Sequence, residues 1–121
     1  MDLQTQRRLE QFLRLSDLPS VRITPRMEFV VPPYRLYIEY LDERILLSLA
    51  RQIEAPHRVV VLKSLLNRCQ PARLQGVPLR AYVLRNHQVL SCSPAPESEV
   101  NHWIACYHTM RRLLDAHFGE N

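Results

Sequence analysis

Two histidines and a cysteine that lie close together are the first residues of this sequence that could do chemistry. His102 and Cys106 are four residues apart and His108 follows, so a helix here would place two soft metal ligands on one side. Zinc sites use three or four ligands, however, and the sequence shows no second cluster. A nucleophile would need a histidine base oriented by a carboxylate, and no such set is evident. We therefore predict that Cys106 borders the core, and we expect no metal site.

Paired carboxylates occur twice, and each pair has a structural explanation. Asp42 and Glu43 separate two apolar runs, which is typical of a hairpin turn. Glu97 and Glu99 fall in the first turn of a predicted helix, where acids interact favourably with the helix dipole. With only two glycines in the chain, a glycine-rich phosphate loop is excluded. We predict that the protein is not an enzyme.

The elements that would position these residues centre on a predicted β-hairpin over residues 34–51. Apolar and aromatic side chains alternate in its first half, and a second alternating run follows the break at Asp42 and Glu43. Pro32 and Pro33 precede it, which suggests a sheet edge or a corner. The hairpin is apolar on both sides, so it can bury a second face against something other than its own core.

The remaining elements follow from hydrophobic periodicity. The spacing predicts an amphipathic helix over residues 2–15, a short strand around 27–31, a helix over 59–69, a loop at 71–78, a second hairpin over 79–93 and a last helix over 100–118 that Gly119 terminates. Val59, Val60 and Val61 are also compatible with a strand, but the period continues to Cys69 and favours a helix. The predicted fold class is α+β, with the order α-βββ-α-ββ-α and helices packed on an antiparallel sheet.

Composition predicts one domain over residues 1–121 in the cytoplasm. The length of 121 residues supports one modest core, and the start of the chain carries no apolar leader segment. Three cysteines without a paired spacing fit reduced, buried thiols. The net charge of +4 permits an anionic partner without requiring one.

Two classes of binding protein remain open at this point. Exposed tyrosines on the sheet, such as Tyr37 and Tyr82, together with scattered arginines could bind nucleic acid, so a small basic nucleic-acid-binding α+β protein is the alternative. The second sheet face, with Leu46 and Leu84, also suits pairing with another subunit or capture of an extended peptide. Because the arginines are interspersed with acids, we favour a protein-binding module that works as a dimer.

The order of elements and several strings resemble the class I chaperones of bacterial type III secretion (CesT/SycE-like fold), and most of all their SycN subgroup. The strings are ILLSLARQ at 45–52, GVPLRAYVL at 76–84, QVLSCSP at 88–94 and a final helix ending in MRRLLDAHF at 110–118. The resemblance implies a cytoplasmic bacterial protein without catalysis or cofactor. SycN-like chaperones pair with a second, YscB-like chaperone, and the heterodimer binds the N-terminal segment of a YopN-like gatekeeper. Binding keeps the gatekeeper secretion-competent and regulates effector export, as part of virulence; a homodimer is the other arrangement open here.

The resemblance also implies two apolar surfaces, carried over element by element. The client segment would contact the first helix and first strands, here Leu9, Phe12, Leu13, Phe29, Val31, Leu36 and Tyr37. The dimer surface would come from the middle helix and the strand after it, here Val59, Leu62, Leu66, Leu79, Tyr82 and Leu84. Chaperones of this class are commonly acidic whereas this chain is basic, so we expect its positive charge to face an acidic partner.

Overall fold

A computed structural model of the chain describes residues 1–69 and 76–118. It contains three α-helices and five strands, with a short 3-10 turn before the second helix. In chain order these are α1 (Leu3–Leu15), β1 (Arg26–Val31), β2 (Tyr34–Leu41), β3 (Arg44–Gln52), the turn Ala55–His57, α2 (Arg58–Leu66), β4 (Leu79–Leu84), β5 (His87–Cys92) and α3 (Val100–Phe118). This order confirms the predicted α-βββ-α-ββ-α fold class.

The strands form one antiparallel sheet in the order β1-β2-β3-β5-β4. Register puts Leu36 opposite Leu49, and Leu49 opposite Leu90, so one face is continuously apolar across the sheet. The β2–β3 loop is the predicted Asp42–Glu43 turn, and both residues have positive φ angles, of 51° and 60°. Such backbone matches the primed hairpin turns that follow the twist of the strands.

One boundary differs from the sequence-based expectation. The middle helix begins in the predicted place but ends at Leu66, whereas the pattern extended it to Cys69. After Leu66 the chain makes a turn, and the N–H of Arg68 donates to the carbonyl of Leu65 over 2.9 Å. Most of the predicted loop at 71–78, together with Gly119, lies outside the described residues.

Helix α1 is capped at both ends. The Thr5 N–H donates to the Asp2 carboxylate over 2.6 Å, and this hydrogen bond lowers the pKa of Asp2. At the other end Asp17 adopts a left-handed φ of 57°, and the Leu18 N–H donates to the Leu13 carbonyl over 2.9 Å. This is the Schellman arrangement, and buried Leu18 supplies its usual apolar contact.

The core lies between the apolar sheet face and the helices. Trp103 and Tyr107 of α3 are fully buried, and both rings contact Phe12 of α1, with centroids 6.4 and 5.9 Å apart. The Trp103 indole N–H donates to the Ser98 hydroxyl over 2.8 Å, so this large residue is buried with its polar group satisfied. All three helices contribute to this core, which leaves the opposite face of the sheet as a separate surface.

Candidate protein-interaction surfaces

Helix α2 is apolar on two sides. Val61 and Leu65 are buried in the core, while Val59, Val60 and Leu66 are 62%, 70% and 53% exposed. A helix that is hydrophobic all round is normally buried on all sides, which this one is not in the single chain. The exposed side of α2 is therefore a candidate contact surface for another protein.

Strand β4 extends this surface to the edge of the sheet. Among residues 1–69 and 76–118 it pairs with β5 on one side only, and its other side presents a row of backbone donors and acceptors. Tyr82 and Leu84 are exposed on this strand, on the sheet face that the helices do not cover. Arg58 at the start of α2 donates to the Asn86 side chain in the β4–β5 turn, which holds the helix beside this strand.

The exposed side of α2 and the open edge of β4 form the α2–β4 surface. Of the six predicted dimer residues, Val59 and Leu66 are exposed on this surface, Tyr82 and Leu84 are exposed on the sheet face away from α2, Leu62 is partly buried and Leu79 is buried. Their role in pairing stays a prediction. Sequence reasoning missed Val60, the most exposed apolar residue of the helix. The sequence does contain a signal for it, because Val60 is an apolar residue that lies outside the buried helical stripe of Val61 and Leu65.

The predicted client residues lie differently. Five of the seven are in the core, with at most 5% of the side chain exposed: Leu9, Phe12, Leu13, Phe29 and Leu36. In this fold they hold α1 against the sheet and do not form a surface. Val31 and Tyr37 are partly exposed. A role for this set in client contact stays a prediction, and the core residues would act by supporting the elements rather than by direct contact.

The second sheet face carries a shallow trench. Its rims are Tyr37 on β2 and Tyr82 on β4, and its floor between them is made by Ser48, Ala50 and Val89. This cavity has a volume of about 400 Å³. The prediction that the hairpin has a second face able to bind something is consistent with this shape.

A serine–histidine contact joins α2 to α3 and was not foreseen from the sequence. The Ser64 hydroxyl lies 2.6 Å from Nε2 of His117, and Nδ1 of the same ring lies 2.8 Å from the Leu113 carbonyl oxygen. A proton on Nδ1 donates to that carbonyl and leaves Nε2 to accept from Ser64. A backbone carbonyl, not a carboxylate, orients the ring, so the contact is read as a link between the two helices.

The cysteines lie mainly in the core. Cys92 and Cys106 are buried and close to each other, which confirms the predicted position of Cys106. The hydrogen bond with the Cys106 thiol, together with burial, raises the pKa of Cys92. Nε2 of His102 lies 4.0 Å from the Cys106 sulfur. Within residues 1–69 and 76–118, no group of three or more histidine, cysteine or acidic side chains could hold a metal ion.

Comparison with known proteins gives matches over nearly the whole chain. The SsaM family profile matches residues 2–117. The secretion system apparatus protein SsaM of Salmonella typhimurium strain LT2 is 29% identical over 115 residues, which span 95% of this chain and 93% of the relative. In the part of the chain that the structure describes, no helix is long and apolar enough to cross a membrane.

Two solved structures share the fold. The ExoT–SpcS complex of Pseudomonas aeruginosa matches with a TM-score of 0.57 and 13% identity, over 96% of this chain and 96% of the matched chain. YbjN of Escherichia coli, described as a putative transcription regulator, matches with a TM-score of 0.57 and 11% identity, over 90% of this chain and 84% of its own. The chain thus shares the fold of these two structures, an antiparallel five-stranded sheet with helices packed on it.

Proposed function

Because this chain belongs to the SsaM family, we propose that it is a type III secretion chaperone that pairs with a second small chaperone and binds a secreted client. SsaM of Salmonella is a secretion system apparatus protein, and the fold is shared with the ExoT–SpcS complex. In the finer form of the proposal the second chaperone is YscB-like and the client segment is the N-terminus of a YopN-like gatekeeper. The work is done in the bacterial cytoplasm and regulates effector export.

The observation that carries this proposal is the α2–β4 surface. Val59, Val60 and Leu66 expose apolar area on the helix, beside the open edge of β4. Burying one such side chain contributes about 1.5–3 kcal/mol, so a partner that covers several of them gains substantial affinity. The open edge of β4 also lets a partner strand extend the sheet.

The client side of the proposal rests on the family. Val31 and Tyr37 are partly exposed on the first two strands, and the core residues beneath α1 fix those strands in place. A client segment that crosses this region would contact the strands and the helix surface. Nucleic-acid binding has weaker support, because Arg35 and Arg26 on the sheet pair with Glu28 and Glu39.

The test is to purify the tagged protein from its own cytosol, identify what accompanies it and size the complex by light scattering. We expect a second small chaperone and a larger secreted protein. In the variant Val60→Glu/Leu66→Glu the second chaperone should be lost, with affinity lowered at least about tenfold, because two charges would be buried in an apolar contact. Val21→Glu, at an exposed apolar position outside this surface, is the matched control.

Three outcomes would contradict the proposal in different ways. Retention of the second chaperone by Val60→Glu/Leu66→Glu would show that pairing uses another surface. Recovery of the protein alone as a homodimer would replace the heterodimer with a self-paired chaperone. Nucleic acid that accompanied the protein and left with salt would overturn the chaperone assignment.

A further inference from the structure

The trench on the second sheet face is longer than its first cavity. A second cavity of about 290 Å³ adjoins it at the level where Ser48 pairs with Ser91, and Leu46, Arg44 and Arg80 line it. Together the two cavities follow β3, β5 and β4, and on β3 they run from Arg44 to Ala50. Seven residues of strand span about 23 Å, so the outer trench, defined by these two cavities, could hold a segment of that length.

The floor of the outer trench is made of small side chains between tall rims. Ser48, Ala50 and Ser91 are only 7%, 4% and 3% exposed although they belong to the face opposite the helices. Their neighbours Tyr37 and Tyr82 rise on either side and limit solvent contact. Small residues below and aromatic rims above allow a partner's backbone to approach the sheet closely.

The width of the outer trench fits a helix. Strands β2 and β4 are three ladder steps apart, which is about 14 Å between backbones, and an α-helix with its side chains is about 10–12 Å wide. An extended peptide lying on a sheet face would find no ladder partners for its backbone groups, whereas a helix satisfies its own. A helix of about 15 residues would span the length at 1.5 Å per residue.

The charges around the outer trench favour an acidic occupant. On the β1–β2 half of this face, Arg35 lies 2.5 Å from Glu28, and Glu39, which lines the first cavity, lies 3.7 Å from Arg26. On the trench half, Arg44, Arg80 and Arg85 take part in none of the ion pairs that join described residues. Cations without acidic partners attract negative groups on whatever binds between them.

We propose that the outer trench seats an amphipathic α-helix of the secreted client, with its apolar stripe on the Ser48–Val89 floor and acidic residues at the end between Arg44 and Arg80. This inference rests on the proposed function, because the helix is taken to come from the secreted client. It adds where the client segment binds and that the segment is helical, amphipathic and acidic at one end. The negative end of the helix dipole would also lie favourably beside those two arginines, so the C-terminus of the helix points to them.

The test uses the purified chain and two fluorescein-labelled synthetic helices of about 15 residues, matched to the trench length. Both carry the same leucine stripe; one ends in glutamates and the other in lysines. We expect the acidic peptide to bind at least about tenfold more tightly by fluorescence anisotropy. Arg44→Glu/Arg80→Glu should reverse that preference, and Arg7→Glu/Arg14→Glu, the same charge change on exposed positions of α1, should preserve it.

A second variant keeps the test independent of charge. Ser91→Phe would fill the floor and should weaken both peptides about equally, provided that circular dichroism shows an intact fold. Equal binding of the two peptides to the wild-type chain would overturn the proposal. The proposal would also be overturned if Arg7→Glu/Arg14→Glu removed the preference for the acidic peptide as completely as Arg44→Glu/Arg80→Glu does. Displacement of the peptide by a single-stranded oligonucleotide that binds more tightly would overturn it as well.

Failure here is distinguishable from failure of the proposed function. If Arg44→Glu/Arg80→Glu still recovers the second chaperone and the full client with unchanged affinity, the trench inference is wrong and the chaperone function stands. If the wild-type chain recovers neither protein from the cytosol, the chaperone function is wrong, and the peptide preference still reports on the trench itself.

Discussion

The three cysteines differ in how readily a thiol reagent can reach them. Cys92 and Cys106 are buried in the core, whereas Cys69 is partly exposed at the end of the α2 turn. Burial raises the pKa of the Cys69 thiol, so it also carries less thiolate at neutral pH than a free cysteine. Only the thiolate attacks a disulfide reagent.

We therefore predict that the native protein reacts slowly with Ellman's reagent at pH 7.5, through Cys69 alone. In urea all three thiols should react at once, because unfolding exposes them and returns their pKa values to about 8.5. Absorbance at neutral pH with and without urea measures this, and Cys69→Ser is the control that should remove the native reaction. Rapid labelling of two thiols in the native state would contradict the buried positions.

At the same scale the sequence could place apolar residues but not say what covers them. Leu9 and Phe12 formed a helical stripe that fits both a core and a client patch, and the structure buries them. Val60 lay outside any stripe and is the most exposed apolar residue of α2. Periodicity reports which side chains share a face, whereas the choice between core and partner depends on how many helices cover the sheet.

At the scale of elements, order and type were predictable and ends were less so. Alternation defined the hairpin at 34–51 because aromatic and β-branched residues fill its core face. The short strand β4 followed from the alternation of Leu79, Ala81 and Val83. The end of α2 could not be predicted from the pattern, because Arg68 and Cys69 keep the helical period although the helix has already ended at Leu66. The Ser64–His117 contact joins residues 53 apart and left no local pattern.

The Asp42–Glu43 turn gives a prediction at this scale. Both residues hold φ angles that favour glycine and asparagine, at a cost of order 1 kcal/mol each. Replacing the pair with Asn-Gly should raise the free energy of unfolding by about 1 kcal/mol in urea titration. Ser20→Gly, in a loop without a positive φ, should lower it or leave it unchanged; a loss of stability with Asn-Gly would contradict the turn geometry.

At the scale of the whole molecule, the α2–β4 surface and the outer trench should respond differently to salt. The α2–β4 surface is mainly apolar, so raising the salt from about 0.05 to 0.5 M should leave pairing intact or strengthen it. The outer trench is flanked by arginines, so the same change should weaken the acidic peptide severalfold. Light scattering for pairing and anisotropy for the peptide measure the two responses.

If pairing weakened with salt as steeply as peptide binding, the assignment of apolar contact to one surface and charge complementarity to the other would be wrong. The positive charge of the chain would then contact the partner chaperone rather than the client. Arg7→Glu/Arg14→Glu is again the control, because it changes the net charge of the chain by the same amount as Arg44→Glu/Arg80→Glu but does so on α1. A difference between the two variants therefore reports the charge at the trench and not the overall charge.

The open edge of β4 also has a consequence for how much of this protein a cell can keep. Under the proposed function, a newly made copy carries an open strand edge and an apolar helix side until its partner binds, and such edges invite self-association and proteolysis. Its lifetime should therefore follow the supply of the partner rather than its own rate of synthesis. Overproduction of this chain alone would then raise its turnover and its loss to aggregates, and co-production with the partner would restore it.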